Sequence, residues 1–176
     1  MKTLSPLKAL TFFVCALLVS SAAFAQKPLA SPRDSVSGTI NGSTIKIAYG
    51  SPSVRGRKIW GGLVPYNKVW RTGANQVTTF ETSKAITVEG KALPAGKYSL
   101  FTDPGEKEWK IIFNSQTGQW GIKGGGEAND DPSKDVLTVM AKPMKSKGFN
   151  ERLTFKIDSK GFVLLWENLA VPVSVK

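Results

Sequence analysis

The sequence predicts a single antiparallel β-sandwich of jelly-roll type, with a small β-barrel as the alternative. Three observations favour this all-β fold class. Apolar residues recur mostly at every second position, which is the period of a strand with one buried face. Turn-forming residues interrupt these segments at short intervals, and no stretch has the spacing of a long amphipathic helix. We therefore expect about nine or ten short strands.

The first 25 of the 176 residues have the three parts of a secretory signal peptide. Lys2 and Lys8 supply a positive start, an apolar run follows, and Ala23 and Ala25 place small residues before a cut at Gln26. The apolar run is shorter than the ~20 residues that a membrane-spanning helix needs. We therefore expect cleavage, and export to the periplasm or the medium.

Cleavage would leave a loose leader (26–34) and one domain (35–176), with no transmembrane segment. The single cysteine, Cys15, lies in the signal peptide, and the sequence has no His. Disulfides, thiol catalysis, Ser-His-Asp triads and His-ligated metals are thus excluded, and we expect no cofactor. Removing the two lysines of the signal peptide leaves 22 Lys and Arg against 13 Asp and Glu, a net charge of +9. In an exported protein this charge favours anionic envelope partners over nucleic acid, or it serves only solubility.

The dipeptide Asn41-Gly42 predicts the first hairpin and its register, because both turn positions must accept a positive φ. Folding about this turn pairs Ile40 with Ser43 and Val36 with Ile47. The apolar residues of both strands then share one face of the hairpin, and the polar residues share the other.

Later segments follow the same pattern of alternation and turns. Glu89-Gly90, Asp103-Pro104-Gly105 and 158–161 are predicted turns. The continuous apolar run 136–142 is typical of a central strand, and Pro172 marks an edge. The remaining predicted strands are 78–82, 85–88, 97–102, 109–113, 152–158, 162–166 and 169–175.

Two stretches lack strand character: a first insertion, 50–76, and a second insertion, 116–133. Insertions longer than about 12–15 residues in a compact domain are usually functional or mobile. The first insertion holds two of the five Trp, three of the five Arg and no acidic residue. Arginine suits carboxylate or phosphate oxygens, and an indole face suits a sugar ring. The predicted ligand-binding residues are Arg57, Trp60, Trp70, Arg71 and Asn75.

The first insertion also has a purely structural interpretation. Trp60 and Trp70 could plug the open end of the sandwich, with Arg57 and Arg71 stacked on them or bonded to loop carbonyls. Binding requires instead that several of these side chains converge in a cleft.

The first insertion also carries a family resemblance, through the run GRKIWGGLVPYNKVWRTGAN followed by ALPAGKYSL and WKIIFN. These ordered motifs resemble the bacterial domain-of-unknown-function family 2911, and the likeness covers most of the mature chain. The resemblance implies a single β-rich domain in an exported bacterial protein, without implying an activity, substrate or catalytic residue. The family pattern has Gly at the position of Asn67 and an acidic residue at the position of Gln76.

The second insertion has five glycines but lacks the Lys-Ser/Thr and the helix start of a phosphate loop, so a flexible hairpin tip is expected. Its acidic residues could bind calcium through Glu127, Asp130 and Asp131, although their spacing matches no known loop. We predict no metal site. A hydrolase would need two carboxylates with different pKa values. The candidates by type are Glu81, Glu89, Asp103, Glu106, Glu108 and Glu167, the last expected to be part-buried beside an arginine.

These observations favour a non-catalytic exported domain that binds an anionic or sugar-like ligand of the cell envelope. The alternatives are a carboxylate-dependent envelope hydrolase and a structural envelope protein without a small ligand.

Overall fold

The protein is described here by a computed structural model, which covers residues 30–176. The predicted signal peptide (1–25) and residues 26–29 of the predicted leader lie outside the described residues. The described chain forms ten strands: Arg33–Ile40 (β1), Ser43–Gly50 (β2), Thr79–Thr82 (β3), Ile86–Val88 (β4), Lys91–Leu93 (β5), Gly96–Pro104 (β6), Trp109–Asn114 (β7), Asp135–Ala141 (β8), Met144–Asp158 (β9) and Gly161–Ser174 (β10).

Six strands form one antiparallel sheet in the order β1-β2-β3-β6-β7-β8. The long hairpin β9–β10 forms the opposite layer, and a bridge between Val88 and Val175 joins its end to the short hairpin β4–β5. The buried core lies between them, with Phe80 and Phe113 on one side and Phe162 on the other. The predicted antiparallel β-sandwich is confirmed. The six-stranded sheet ends at β1 and β8 and does not close into a barrel.

The first hairpin has the predicted register. Ile40 pairs with Ser43 and Val36 with Ile47, and Asn41 and Gly42 have φ values of 48° and 76°. Residues on the apolar face of β2 are buried, while the polar face stays exposed. The turn dipeptide and the two-residue period point to the same register, which is why it could be read from sequence.

The position of the run 136–142 was predicted wrongly. This segment forms β8, and β8 is an edge strand that pairs only with β7 in the six-stranded sheet. Val139 and Ala141 face the core, whereas Val136 and Met140 are exposed on the outer face. An apolar run indicates that a segment is hydrophobic, but it does not indicate whether the strand pairs with one neighbouring strand or with two.

Several element boundaries also differ from those expected; β9, for example, begins at Met144 and not at Arg152. β6 continues through Asp103 and Pro104, so the turn to β7 begins at Gly105, whose N–H donates to the carbonyl of Glu108. The two predicted C-terminal strands are one strand, β10, which is irregular at Glu167. β1 begins at Arg33, inside the stretch expected to be a loose leader.

A second, smaller core lies on the outer face of the six-stranded sheet. Phe101 of β6 and Ile112 of β7 pack there against Val77 and Ala128, with Val69 beside them. These contacts fold both insertions onto the same face, which places them next to each other. The second insertion ends in a short 3-10 helix, Pro132–Lys134. Within residues 30–176, no helix has the length and apolarity required to span a membrane.

Candidate functional site

The two insertions enclose a cleft of about 760 Å³. Residues 52–74 of the first insertion form one wall, and residues 122–130 of the second insertion form the other. Trp166 of β10 contributes from the sandwich. A volume of this size is typical of small-molecule sites, which are commonly ~300–1,000 Å³. The cleft is lined by four cationic side chains and two acidic ones: Arg57, Lys68, Arg71, Lys123, Glu127 and Asp130.

The first insertion holds its shape through tight turns and bonds to the sheet. Two backbone hydrogen bonds join it to β6. The N–H of Trp70 donates to the carbonyl of Thr102 at 2.7 Å, and the N–H of Thr102 donates to the carbonyl of Trp70 at 3.0 Å. Four non-glycine residues in the insertion have positive φ, namely Arg55, Asn67, Thr72 and Asn75. Such conformations cost of order 1–3 kcal/mol each for most residues, and they cluster at functional sites.

Thr72 shows how one of these conformations is maintained. It has a φ of 55°, which a β-branched residue rarely adopts, and it is completely buried. Its hydroxyl lies 3.2 Å from the carbonyl of Trp70 and from the hydroxyl of Thr102, while its own carbonyl accepts a bond from the hydroxyl of Thr78. The backbone between Trp70 and Gly73, both of which line the cleft, is therefore fixed by buried bonds.

Of the five predicted site residues, Arg57, Trp70 and Arg71 line the cleft together. Arg57 is exposed, but its Nε and one terminal nitrogen already donate to the carbonyls of Val54 and Ser53, at 3.1 and 2.6 Å. Arg71 is half-buried, and burial lowers the pKa of its guanidinium from the ordinary value. Arg71 is thus the less solvated of these two cations.

Trp60 and Asn75 do not line the cleft. Trp60 packs behind it, and the side-chain nitrogen of Asn75 donates to the carbonyl of Ser31 at 2.9 Å. The carbonyl of Asn75 accepts the N–H of Gly121, a bond that fastens the second insertion to the first. The structural interpretation of the first insertion therefore accounts for Trp60 and Asn75, and for the two nitrogens of Arg57 that donate to loop carbonyls.

Four of the five tryptophans form one cluster at the cleft end of the sandwich. Trp60 lies edge-on to Trp109, Trp166 and Trp70, with ring centroids 5.1, 5.7 and 6.0 Å apart. Trp70 stacks on Trp166 at 5.9 Å with an interplanar angle of 14°. Trp70 and Trp166 line the cleft, so the cluster joins its wall directly to the core.

Three buried N–H donors in this region have no acceptor among the described residues: Nε1 of Trp60, Nε1 of Trp166 and Nε of Arg71. Leaving such a group unpaired in a folded protein costs about 1–3 kcal/mol, so each one requires an explanation. Two of the three belong to residues that line the cleft.

The comparisons with known proteins give one match. The sequence profile of the family described as "Protein of unknown function (DUF2911)" matches residues 31–175. The chain belongs to the DUF2911 family. Neither the curated proteins nor the solved structures include a match to it. The family resemblance seen in the sequence motifs is thereby confirmed, and it extends over the whole described domain.

The two positions at which the resemblance implies a departure from many family members, Asn67 and Gln76, have different settings. Asn67 has a φ of 58°, a conformation that glycine adopts freely and that Asn tolerates better than most residues. Gln76 lies in a second cavity of about 320 Å³ that Arg33, Lys46 and Lys97 also line. An acidic residue there would balance these cations, whereas Gln76 leaves Glu81 as the only carboxylate among the lining residues of this family member.

Sequence reasoning missed Lys68, Lys123 and Trp166 as parts of this family member's cleft. Lys123 and Trp166 are far from the first insertion in sequence and reach the cleft only through the tertiary fold. Ile122 and Ala128 were a usable signal, because they are apolar residues at strand-like spacing in a polar loop, and they form a bridge in the structure. The second insertion is thus a hairpin tip, as predicted, but it also forms a wall of the cleft.

The six candidate carboxylates for a hydrolase do not converge in the cleft. Asp103 forms the one ion pair within residues 30–176, with Lys110 at 2.9 Å. Glu89 accepts the N–H of Ser174 at 2.5 Å, and Glu81 lies in register between Lys46 and Lys97.

The three remaining candidates are Glu106 and Glu108, at the β6–β7 turn, and Glu167 in β10. Glu167 is part-buried as expected, but it has no arginine partner; the structure places it at an irregularity of β10 with a φ of 54°. The expected Glu167–Arg pair was wrong.

The structure does not gather the acidic residues of the second insertion into a group of three or more potential metal ligands. No group of three or more His, Cys, Asp or Glu within the described chain could hold a metal ion. Asp131 instead begins the 3-10 helix: its Oδ1 accepts the N–H and the hydroxyl of Ser133, at 3.0 and 2.7 Å. These hydrogen bonds lower the pKa of Asp131.

Proposed function

We propose that this DUF2911 protein is a non-catalytic binding domain, exported by the bacterial cell, whose cleft receives an anionic or sugar-like group of the cell envelope. The observation that carries the proposal is the composition of the cleft. Arg57, Lys68, Arg71 and Lys123 line it together with the indole of Trp70, against only two carboxylates. Guanidinium and ammonium groups bind carboxylate and phosphate oxygens, and an indole face packs on sugars or apolar groups.

The burial of Arg71 supports an anionic ligand in particular. Its guanidinium is half-buried, its Nε has no acceptor within residues 30–176, and no carboxylate pairs with it. A desolvated cation without a partner is costly, and a ligand oxyanion would offset that cost. The net positive charge of the chain would also raise the rate of encounter with such a ligand.

The proposal is tested by probing arrays of neutral glycans, anionic glycans, sugar phosphates and inorganic phosphate with the purified protein. We expect binding to the anionic members. We expect Arg71→Gln to weaken it about tenfold or more, because a hydrogen bond to a charged group is lost. Arg57→Ala should have a smaller effect, because that guanidinium already bonds to loop carbonyls.

Lys156→Gln is the matched control, because it removes one positive charge from an exposed position in β9 outside the cleft. This variant should bind as the wild type does. Absence of binding to every anion and sugar, or equal losses in Arg71→Gln and Lys156→Gln, would count against the proposed site.

A further inference from the structure

The cleft combines charged side chains with an apolar surface. Leu63, Val64, Pro65, Ile122 and Ala128 line it together with the two indoles. Leu63 is 48% exposed, which is high for a large aliphatic side chain, and it lies in the wall of the cleft. Pro65 is exposed beside it, whereas Val64 and Ala128 are buried. Exposed apolar side chains in a concave site are typical of surfaces that bind an apolar group.

Trp166 adds a buried donor to this wall of the cleft. The residue is 1% exposed and lines the cleft, yet its Nε1–H has no acceptor among the described residues. The Nε of Arg71, another lining residue, is also buried and has no acceptor among the described residues. Both atoms are obligate donors that are closed to solvent, so they add positive character to the wall behind the cleft, which favours a ligand with acceptor oxygens.

We infer that the cleft takes an amphiphilic anion, a molecule with a phosphate or carboxylate head and an apolar body. This inference rests on the proposed function and narrows its ligand class. The head group would pair with the guanidinium of Arg71, while the body would cover Leu63 and the other apolar lining residues. Inorganic phosphate would satisfy only the donors and leave the apolar surface in water. A neutral sugar would bring hydroxyl donors to a site whose polar side chains are mostly donors themselves.

The experiment compares four probes, each kept below its micelle concentration: decyl phosphate, decanoate, inorganic phosphate and the neutral amphiphile hexaethylene glycol monodecyl ether. Binding is followed by tryptophan fluorescence, since two indoles line the cleft, and by calorimetry. At least one of the two anionic amphiphiles should bind at least about tenfold more tightly than inorganic phosphate, because several buried CH₂ groups contribute. It should also exceed the neutral amphiphile about tenfold through its bonds to charged and buried donors.

Single-residue variants distinguish the contribution of the ligand's head group to binding from that of its apolar body. Arg71→Gln keeps part of the aliphatic stem and should weaken the anionic amphiphiles about tenfold or more without changing the neutral one. Leu63→Ser should weaken the amphiphiles but leave inorganic phosphate unchanged. Lys156→Gln should match the wild type throughout.

The failures are distinguishable. Inorganic phosphate binding as tightly as decyl phosphate and decanoate would overturn the inference and leave the proposed anion site intact. Failure of both anionic amphiphiles, together with binding of another anion or a sugar on the arrays, would have the same result. Equal binding of the neutral and anionic amphiphiles, unaffected by Arg71→Gln, would overturn the inference and remove the anionic ligand from the proposed function as well.

Discussion

A single buried hydroxyl, that of Tyr49, connects β1, β2 and β9. It donates to Oδ2 of Asp34 at 3.1 Å and accepts the N–H of Phe155 at 3.2 Å, and the two aromatic rings meet edge-on with centroids 4.9 Å apart. Tyr49 is 1% exposed, and burial raises the pKa of its phenol to about 12. Together these two hydrogen bonds hold the first hairpin to β9, in the opposite layer of the sandwich.

This raised pKa predicts a specific loss of stability at high pH. An unfolded tyrosine loses its proton near pH ~10, so stabilisation from the neutral phenol is complete below that value. It is lost as the pH rises from about 10 through the folded pKa of about 12. Urea unfolding between pH 8 and 12 should show a steeper fall for the wild type than for Tyr49→Phe.

The same variant supplies its own control at lower pH. At pH 8, Tyr49→Phe should be less stable by about 1–3 kcal/mol, because the N–H of Phe155 loses its acceptor. Burial also raises the pKa of Tyr98, but that group titrates in both proteins and cancels in the comparison. Identical pH slopes for the two proteins would show that Tyr49 does not titrate as its burial requires.

At the scale of elements, the cleft depends on close contact between the two insertions. Gln76 and Trp120 form a bridge, the N–H of Gly121 donates to the carbonyl of Asn75, and the side chain of Arg71 packs against Gly121. A Cβ at Gly121 would overlap Cδ of Arg71 and lie 2.8 Å from that carbonyl oxygen. Glycine at this position is thus required by packing and not by a positive φ.

Gly121→Ala is therefore expected to separate the insertions and shift Arg71. We predict a loss of about 1–3 kcal/mol in the free energy of unfolding, together with weaker anion binding on the arrays. Gly124→Ala is the matched control, because nothing lies within 4 Å of a Cβ at that glycine of the same insertion. Urea unfolding and binding are measured on both variants. Equal behaviour of the two would mean that the second insertion does not position Arg71.

The strands show what sequence pattern can and cannot predict. The hairpin β1–β2 was predicted to the residue because Asn41-Gly42 and the two-residue period give one register. β8 was assigned to the wrong place in the sheet because pairing partners are far apart in sequence: its neighbour β7 ends at Asn114, before the second insertion. Local chemistry determines turns, whereas sheet order depends on long-range packing that no local pattern contains.

The same distinction applies to the site. Arg57, Trp70 and Arg71 were predictable because one insertion concentrates their chemistry, and all three line the cleft. Trp60 packs among Trp70, Trp109 and Trp166 instead of lining the cleft, and the sequence could not distinguish these positions because an indole can serve a core as well as a ligand. The role of Trp166 could not be inferred before the fold brought β10 beneath the insertions.

For the whole molecule, residues 30–176 contain no cysteine, so the domain folds without a disulfide and its stability comes from the buried core. The fold therefore makes no demand on an oxidising compartment, and the expectation of export depends on the first 25 residues and on the family resemblance. We predict that the protein expressed in a bacterial host is recovered from the periplasm or the medium and begins at Gln26.

The prediction is checked by mass spectrometry and N-terminal sequencing of the recovered protein. Signal cleavage requires small residues at the first and third positions before the cut, which are Ala25 and Ala23. Ala25→Lys should therefore leave the signal peptide attached. Phe24→Leu, at the tolerant position between them, should be cleaved normally and serves as the control. The form that retains the signal peptide should still unfold as the cleaved form does, because the buried core lies within residues 30–176. A chain that starts at Met1 and stays in the cytosol would contradict the prediction, and it would also remove the reason for seeking the ligand among envelope molecules.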